Sequence, residues 1–321
     1  MTRVKRPATL NERRARALSA AKRMVKPFEG LRGVDFGLIY KGGVATARRG
    51  IRFHVERKLP LTSLSPGQAI PEEILGVPCD VIEASYAPHA ASPRSLFDPI
   101  RPGISAGNVQ RQTTGTIGCF VRDSQSGAAC MLSNWHVLCG SVEAHGGEGI
   151  TQPGPSHLGV SPPRIVAELM RWANLSSGYD AAVARISPGA AFDLRAFGTG
   201  LAPLKVGNPQ VGMRLIKCGV TSGVTHAVID GVDGSFAMDY TPFGDAVRWM
   251  DGIRLVPDPQ QPEDEISLEG DSGAVWMEPD KRVAVALHFG GEDGLGPLAE
   301  YAVAHPLTRA LELLDVSLVF L

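Results

Sequence analysis

From residue 113 onward, the sequence is a succession of short apolar segments separated by glycines and prolines. The chain contains 37 glycines and 24 prolines, and residues of these two types interrupt helices and mark turns. Segments with strand composition recur at short intervals, at 116–122, 128–133, 164–172, 181–186, 211–218, 225–229, 253–256, 274–277 and 283–289. Short strands at this spacing predict a mainly β fold, either a barrel or a sandwich.

A serine lies between glycines at 270–273 (Gly-Asp-Ser-Gly), directly before one of these segments. Such a turn projects the Ser272 hydroxyl while neighbouring N–H groups converge on one point, as catalysis at a carbonyl requires. The same residues also suit an ordinary hairpin turn, where Gly, Asp and Ser are common. Two upstream residues favour the catalytic interpretation. His136 follows one apolar segment, and Asp180 precedes another, where a buried charge needs a partner.

The chain order His136, Asp180, Ser272, with the motifs around these residues, resembles that of trypsin-like (chymotrypsin-fold) serine proteases. The resemblance covers about 113–314. It implies two antiparallel β-barrels with the site between them, followed by a short closing helix at 306–314. It also implies that the three residues form a catalytic triad, with the backbone N–H groups of Gly270 and Ser272 binding the oxyanion. Motifs at 115–118, 132–137 and 152–154 are similar to those of bacterial relatives of the plant NARROW LEAF 1 proteases.

The resemblance implies a serine endopeptidase that cleaves protein or peptide substrates through an acyl-enzyme and needs no cofactor. The alternative is a catalytically silent protease-fold module that binds or assembles other proteins. Two positions depart from the family pattern. Asp271 has no newly cut N-terminal amine to pair with, so an internal residue is expected to replace the amine. Trp135 is bulkier than the usual alanine and is expected to narrow the cleft.

The specificity pocket is predicted from the family's usual positions for its floor and wall. The floor position is Ile266, with Glu265 beside it, so no aspartate selects Arg or Lys. The wall strand contains His288 and Gly290 and is similar to the His-x-Gly-Gly strand of glutamyl endopeptidases. Two versions stay open: an apolar pocket above Ile266, or an imidazole at 288 that binds an acidic side chain.

The N-terminal third is predicted to form two further parts, a basic helix within 1–30 and a small α+β unit with a linker within 31–110. The protease-like domain then spans 111–321. Residues 1–60 carry 16 Lys/Arg against four Asp/Glu, whereas the remainder is acidic. This split predicts that the helix, over 8–26, docks on the acidic body or mediates homo-oligomerisation. No nucleic-acid partner is expected because no aromatic residues interleave the arginines, and no membrane partner because no apolar run nears ~20 residues.

Five cysteines and the absence of a secretory signal predict a cytoplasmic protein with reduced thiols. The family resemblance adds one candidate disulfide, between Cys119 and Cys139. A zinc site would have to use His136, His145, His157 and nearby cysteines. No metal is expected, because their spacing matches no Cys-x-x-Cys or His-Glu-x-x-His motif.

Overall fold

The protein is described here from a computed structural model of the chain. The structure describes residues 10–24, 30–64, 68–84, 86, 91–159, 163–261, 265–292 and 300–320. It divides the chain into two compact units, Met1–Ala90 and Ala91–Leu321. Residues 91–110, which the sequence analysis joined to the N-terminal part, therefore belong to the second unit. Ile100 and Ile104 explain this assignment, because both are fully buried in that unit's hydrophobic core.

The first unit contains one helix packed with one four-stranded sheet. Its elements are α1 (Leu10–Met24), β1 (Leu31–Lys41), β2 (Val44–Val55), β3 (Glu73–Ile74) and β4 (Val77–Glu83), with strand order β1-β2-β4-β3. Ala17 and Ala21 of α1 are buried in a core with Ile51 and Phe53 of β2. Alanines at i and i+4 share one face of a helix, so this face packs inward and the basic residues lie outside. Positions 8, 9, 25 and 26 of the predicted helix lie outside the described residues.

The segment around 71–77 forms a β-hairpin, although its local sequence favours the start of a helix. Proline and two acids favour a helix N-terminus, but Ile74 pairs with Val77 across a two-residue turn. Leu75 and Gly76 adopt positive φ angles of 53° and 74° in this turn. Both Ile74 and Val77 are buried in the unit's core, so burial of these side chains outweighs the local helix signal.

The second unit contains fifteen of the described strands and two short helices. These are β5 (Ser105–Asn108), β6 (Gly115–Thr116), β7 (Cys119–Asp123), β8 (Ala129–Ser133), α2 (Trp135–Leu138), β9 (Gly149–Thr151), β10 (Ile165–Trp172), β11 (Ala182–Ile186), β12 (Lys205–Val206), β13 (Arg214–Gly219), β14 (Gly223–Asp239), β15 (Val247–Pro257), β16 (Val275–Glu278), β17 (Val283–Gly291), β18 (Ala302–Pro306), α3 (Leu307–Leu313) and β19 (Val316–Leu318). Helix α3 is the predicted closing helix.

These strands form two sheets that are antiparallel except where β12 pairs with β17. The first sheet has the order β19-β7-β8-β11-β10-β9-β5-β6, and the second has the order β12-β17-β16-β13-β14-β15-β18. A further pairing between β17 and β18 closes the second sheet into a barrel. The predicted mainly β architecture and the small N-terminal α+β unit are therefore confirmed. None of the described helices combines the length and apolarity that crossing a bilayer requires.

All five cysteines are free thiols. Cys119 lies on β7 and Cys139 ends α2, and their side chains are buried in two different hydrophobic clusters. The candidate bridge between them is therefore not formed. Burial raises the pKa of the Cys119 thiol to about 12, and it likewise raises the pKa of Cys139. Thiols that stay protonated in this way are poor nucleophiles and poor metal ligands.

Candidate active site

His136 and Asp180 are brought together by the pairing of two neighbouring strands. Strand β8 ends at Ser133 and leads into α2, which carries His136, while Asp180 lies two residues before the start of β11. Ser133 pairs with Ala182, so the two strand ends lie side by side. The Nδ1 atom of His136 is 2.5 Å from Oδ2 of Asp180, and the backbone N–H of His136 donates to Oδ1 at 3.1 Å.

Asp180 is fully buried and ionised. Tyr240 donates a hydrogen bond of 2.7 Å from its phenol to Oδ2, the same oxygen that pairs with His136. Burial alone would raise the pKa of Asp180, but the proximity of His136 and the two hydrogen bonds outweigh burial and lower it. The side chain of His136 keeps 18% of its surface exposed, whereas that of Asp180 has none. The pair therefore has a buried charged end and an accessible imidazole end.

His305 forms a second support behind Asp180. Its Nε2 atom accepts a hydrogen bond from the backbone N–H of Asp180 at 3.0 Å, and its Nδ1 atom donates to the carbonyl of Asp251 at 2.6 Å. These two bonds require the neutral tautomer with the proton on Nδ1. Burial lowers the pKa of His305 to about 4, so the ring stays uncharged at neutral pH. No local sequence signal indicates this role, because His305 lies 125 residues from Asp180.

Ser272 lies in a tight loop that the first sheet holds in place. Gly270 and Gly273 have φ angles of +98° and +97°, a conformation that strongly favours glycine. A Cβ atom at Gly273 would lie 2.1 Å from Oγ of Ser133, so no larger residue fits. Thr116 of β6 donates from its N–H to the carbonyl of Ser272 at 2.8 Å and from its hydroxyl to that of Gly270 at 2.9 Å. The segment 115–118, noted only as a family motif, thus anchors the serine loop.

His136, Gly270 and Ser272 line one cavity of about 450 Å³. The other lining residues are Gln112, Thr113, Thr114, Ser156, Met238, Asp239, Tyr240, Phe243, Glu269 and Phe289. Within the described part of the chain, no hydrogen bond joins the Ser272 hydroxyl to the His136 ring. Such bonds are often long in ligand-free enzymes and shorten when substrate binds. Because Nδ1 of His136 is engaged by Asp180, Nε2 is the nitrogen left to accept a proton.

The backbone around Gly270 is oriented by a second threonine. The hydroxyl of Thr221 donates to the carbonyl of Glu269 at 2.7 Å. Since C=O and N–H point in opposite directions in a trans peptide, this bond turns the N–H of Gly270 away from Thr221. Across the described residues, neither this N–H nor that of Ser272 donates a hydrogen bond within the protein. Two backbone donors are thus available beside the serine.

Asp271, between Gly270 and Ser272, pairs with a buried lysine. The Nζ atom of Lys217 lies 2.9 Å from Oδ2 of Asp271, and neither side chain is exposed. Oδ1 of Asp271 accepts the backbone N–H groups of Thr221 and Ser222 at 2.9 and 3.1 Å. Burial would raise the pKa of Asp271, but the charge of Lys217 and the hydrogen bonds lower it. Lys217 is thus the internal partner that Asp271 was expected to have. Its signal in the sequence was a charge flanked by two apolar residues, Ile216 and Cys218.

The three residues predicted to form the specificity pocket do not line this cavity. Ile266 is fully buried in the core of the second sheet. His288 is 2% exposed, and burial with the nearby Lys217 charge lowers its pKa, so it presents no charged imidazole to a ligand. Gly290 lies beneath Met238, whose Cε atom would be 2.8 Å from a Cβ at that position. The cavity wall on this side is formed by Met238 and Phe289 instead.

Trp135 differs from the expectation that it narrows the cleft, because its side chain is buried in the core with 4% of its surface exposed. Of the histidines weighed as zinc ligands, His145 lies 3.6 Å from Glu148 and His157 lies 2.8 Å from the Ser105 hydroxyl. In the described ranges, the acidic or histidine side chains close enough to share an ion are Glu265, Glu292 and Glu300. The histidines that were weighed as zinc ligands have different partners and are not gathered in one place.

Comparison by sequence gives no match, either to a family model or to a curated protein. Comparison by structure gives many matches. Nocardiopsis protease (NAPase) aligns over 70% of this chain and 100% of its own, with a TM-score of 0.51 and 14% identity. A glutamic-acid-specific serine protease (68% and 100% coverage, TM-score 0.49, 19% identity) and Cellulomonas bogoriensis chymotrypsin (70% and 99%, TM-score 0.49, 17% identity) are also similar. The chain therefore has the chymotrypsin-like fold of serine proteases, and the predicted fold class is confirmed.

Proposed function

We propose that this protein is a serine endopeptidase in which Ser272, His136 and Asp180 act as the catalytic triad. The observation that carries the proposal is the shared cavity. On a chymotrypsin-like fold, a serine between two positive-φ glycines and the exposed edge of a carboxylate-bound histidine line the same cleft. The order of the three motifs along the sequence supports the same assignment, because each motif lies in a separate stretch of the chain.

The proposed reaction is acyl transfer through a covalent intermediate. The Oγ atom of Ser272 attacks the scissile carbonyl carbon while Nε2 of His136 takes the hydroxyl proton. His136 then delivers that proton to the leaving amine, and water repeats the two steps to release the acid. Asp180 keeps the Nδ1 proton in place and stabilises the imidazolium that forms. Its buried, ionised carboxylate suits this role because little water competes for the interaction.

The oxyanion is proposed to bind to the N–H groups of Gly270 and Ser272. Thr221, Thr116 and the ion pair of Asp271 with Lys217 hold the peptides of this loop from three sides. Donors fixed in this way need no reorganisation when negative charge develops on the carbonyl oxygen. Loss of one such donor typically costs about 10²–10³ in rate.

A fluorophosphonate probe, which reacts covalently with activated serines, tests the proposed function directly. We expect wild-type protein to be labelled at Ser272. Ser272→Ala removes the nucleophile and should abolish labelling, and in peptide cleavage Ser272→Ala and His136→Ala should each cost about 10⁶ in kcat. Asp180→Asn should cost about 10⁴ because the histidine would then hold the wrong tautomer. Ser235→Ala, which removes an exposed hydroxyl on β14, is the matched control.

Two results would refute the endopeptidase proposal. Near-normal peptide cleavage by a folded Ser272→Ala variant would exclude the serine as nucleophile. Folded wild-type protein that is never labelled and cleaves no peptide would favour the alternative, a silent protease-fold module that binds or assembles other proteins. Circular dichroism on each variant ensures that a lost signal reports chemistry and not unfolding.

The proposed substrate has an apolar side chain before the scissile bond. Met238, Phe243 and Phe289 provide apolar cavity wall, whereas Asp239 and Glu269 add carboxylates that repel acidic side chains. We expect a peptide library varied at this position to give the highest kcat/KM for Leu, Phe or Met. Met238→Ala should shift the preference towards the larger of these side chains. A preference for Glu, or for Arg and Lys, would contradict the proposed pocket.

Three finer assignments stay proposals. The relation to bacterial relatives of NARROW LEAF 1 proteases rests on the motifs at 115–118, 132–137 and 152–154. A cytoplasmic location is proposed from the five free cysteines, whose thiols need a reducing compartment to persist. Homo-oligomerisation through the N-terminal region is proposed from its basic charge, and light scattering on the full chain measures it.

A further inference from the structure

The tip of one long hairpin of the second sheet reaches the histidine–aspartate pair of the first sheet. Strands β14 and β15 are 17 and 11 residues long and are the longest antiparallel pair of the second unit among the described strands. The tip between them contains a 3₁₀ turn over Thr241–Phe243. His136 and Asp180 belong to the other sheet, so the hairpin joins the two halves of the candidate active site.

Aromatic packing fixes this tip against the helix that carries His136. Trp135 meets both Tyr240 and Phe243 edge to face, with ring centroids 6.2 Å apart in each pair. The ring of Phe243 lies 5.7 Å from that of His136. A backbone hydrogen bond of 3.1 Å from Val142 to the carbonyl of Phe243 adds a polar attachment. The unusual tryptophan beside the histidine thus serves as the docking surface for the tip.

Tyr240 uses this position to reach the carboxylate. Its side chain is 3% exposed, and its hydroxyl donates to Oδ2 of Asp180 at 2.7 Å. Burial and the carboxylate both raise the pKa of Tyr240, so the phenol is protonated and can donate at neutral pH. Oδ2 of Asp180, which has no exposed surface, therefore accepts two hydrogen bonds, one from Tyr240 and one from His136.

We propose that Tyr240 is a positioning residue, which holds Asp180 in the orientation that pairs with His136 and draws negative charge away from that pair. The proposal rests on the proposed function, since it assigns Tyr240 to the same catalytic machinery. Its physical basis is competition for one oxygen. When the phenol donates to Oδ2, the carboxylate binds the imidazolium less tightly than it would with His136 as its only side-chain donor.

The consequence is a measurable change in the protonation of the imidazole. In Tyr240→Phe the ring remains and the aromatic packing is kept, but Asp180 loses a donor. His136 then binds its proton more tightly, so a higher pH is needed to convert it to a general base. The other titratable groups around the pair include Cys139 on α2, His305 on β18 and His288 on β17, and burial favours the uncharged form of all three. Asp239 and Glu269 line the same cavity as His136. Because these groups are the same in wild type and Tyr240→Phe, they do not mask the difference between the two proteins.

The test measures the rate of fluorophosphonate labelling of the full chain between pH 5 and 9. For Tyr240→Phe we expect the midpoint of the pH profile to rise by about half a unit, since part of one hydrogen bond to a charge is lost. We expect the plateau rate to fall about 10- to 100-fold, because Asp180 is no longer held in place. Tyr301→Phe removes a phenol outside the site and should leave both values unchanged.

A second measurement needs no reaction. In the Ser272→Ala background, the imidazole resonances of His136 in an NMR titration should change at a higher pH when Tyr240→Phe is added. A midpoint that stays unshifted in both measurements overturns the proposal, even if the labelling rate falls. Failure of the proposed function is a separate result: wild-type protein would not be labelled at all, and the NMR titration would still decide the role of Tyr240.

Discussion

A single buried lysine is the least expected residue near Ser272, the proposed nucleophile. Lys217 donates to Oδ2 of Asp271 at 2.9 Å and to the hydroxyl of Ser222 at 2.8 Å, and its Nζ atom lies 5.2 Å from the centre of the Trp276 ring. Removing a charge from water is costly, so a buried ammonium persists only with a matched partner. The ion pair therefore holds the serine loop and the β13–β14 turn together. It contributes more to the conformation of the serine loop than to the net free energy of unfolding.

Replacing this lysine should damage stability and activity together. In Lys217→Met the carboxylate of Asp271 would remain buried without its counter-charge, which typically costs about 3–5 kcal/mol in unfolding free energy. We also expect fluorophosphonate labelling of Ser272 to be lost, because the loop that carries the N–H groups of Gly270 and Ser272 would no longer be held. Urea denaturation and labelling under native conditions measure the two effects.

The charge-neutral double variant separates these effects. Lys217→Met combined with Asp271→Asn removes both charges, so part of the lost unfolding free energy should return while labelling stays low. Lys205→Met, at an exposed position on β12, is the matched control. If Lys217→Met unfolds at the wild-type urea concentration and labels at the wild-type rate, the buried pair has no role in shaping the site.

At the scale of elements, the features that could be predicted from the sequence are those carried by consecutive residues. The nine segments of strand composition all correspond to strands, and the motif stretches around His136, Asp180 and Ser272 are each continuous. Strands β5, β9, β12, β18 and β19 lie outside these nine segments. They are only two to five residues long. Periodicity is not measurable over so few residues.

The supporting contacts of the site could not be predicted because they join distant elements. Tyr240 lies 60 residues from Asp180, Lys217 lies 54 from Asp271, and Thr116 lies 154 from Gly270. A tyrosine at the end of a strand has the same local pattern whether it faces solvent or a carboxylate. The residues predicted for the specificity pocket do not line the cavity for a related reason. Family spacing located Ile266 and His288 in the chain, but the long β14–β15 hairpin brings Met238 to the wall instead.

At the scale of the whole molecule, the chain divides into two units, and the candidate site lies in only one of them. Every residue of the candidate site lies in the unit Ala91–Leu321, and the basic helix lies in the unit Met1–Ala90. The segment 91–110 adds β5 to the first sheet, where Gly107 and Asn108 pair with β9. It also buries Ile100 and Ile104 completely. Two buried isoleucines stabilise a fold by about 1.5–3 kcal/mol each, a large part of an ordinary domain's 5–15 kcal/mol.

Two truncated chains test this division and the role of the N-terminal region. A chain beginning at Ala91 should fold, label with fluorophosphonate at the wild-type rate and lose any self-association of the full-length protein. A chain beginning at Arg111 lacks β5, Ile100 and Ile104, so we expect it to be unfolded or to melt at a much lower temperature. Thermal denaturation, labelling and light scattering measure the three properties.

If the Arg111 chain folds and labels normally, residues 91–110 are not integral to the domain. An Ala91 chain with the oligomeric state of the full-length protein would exclude the N-terminal unit as the source of self-association.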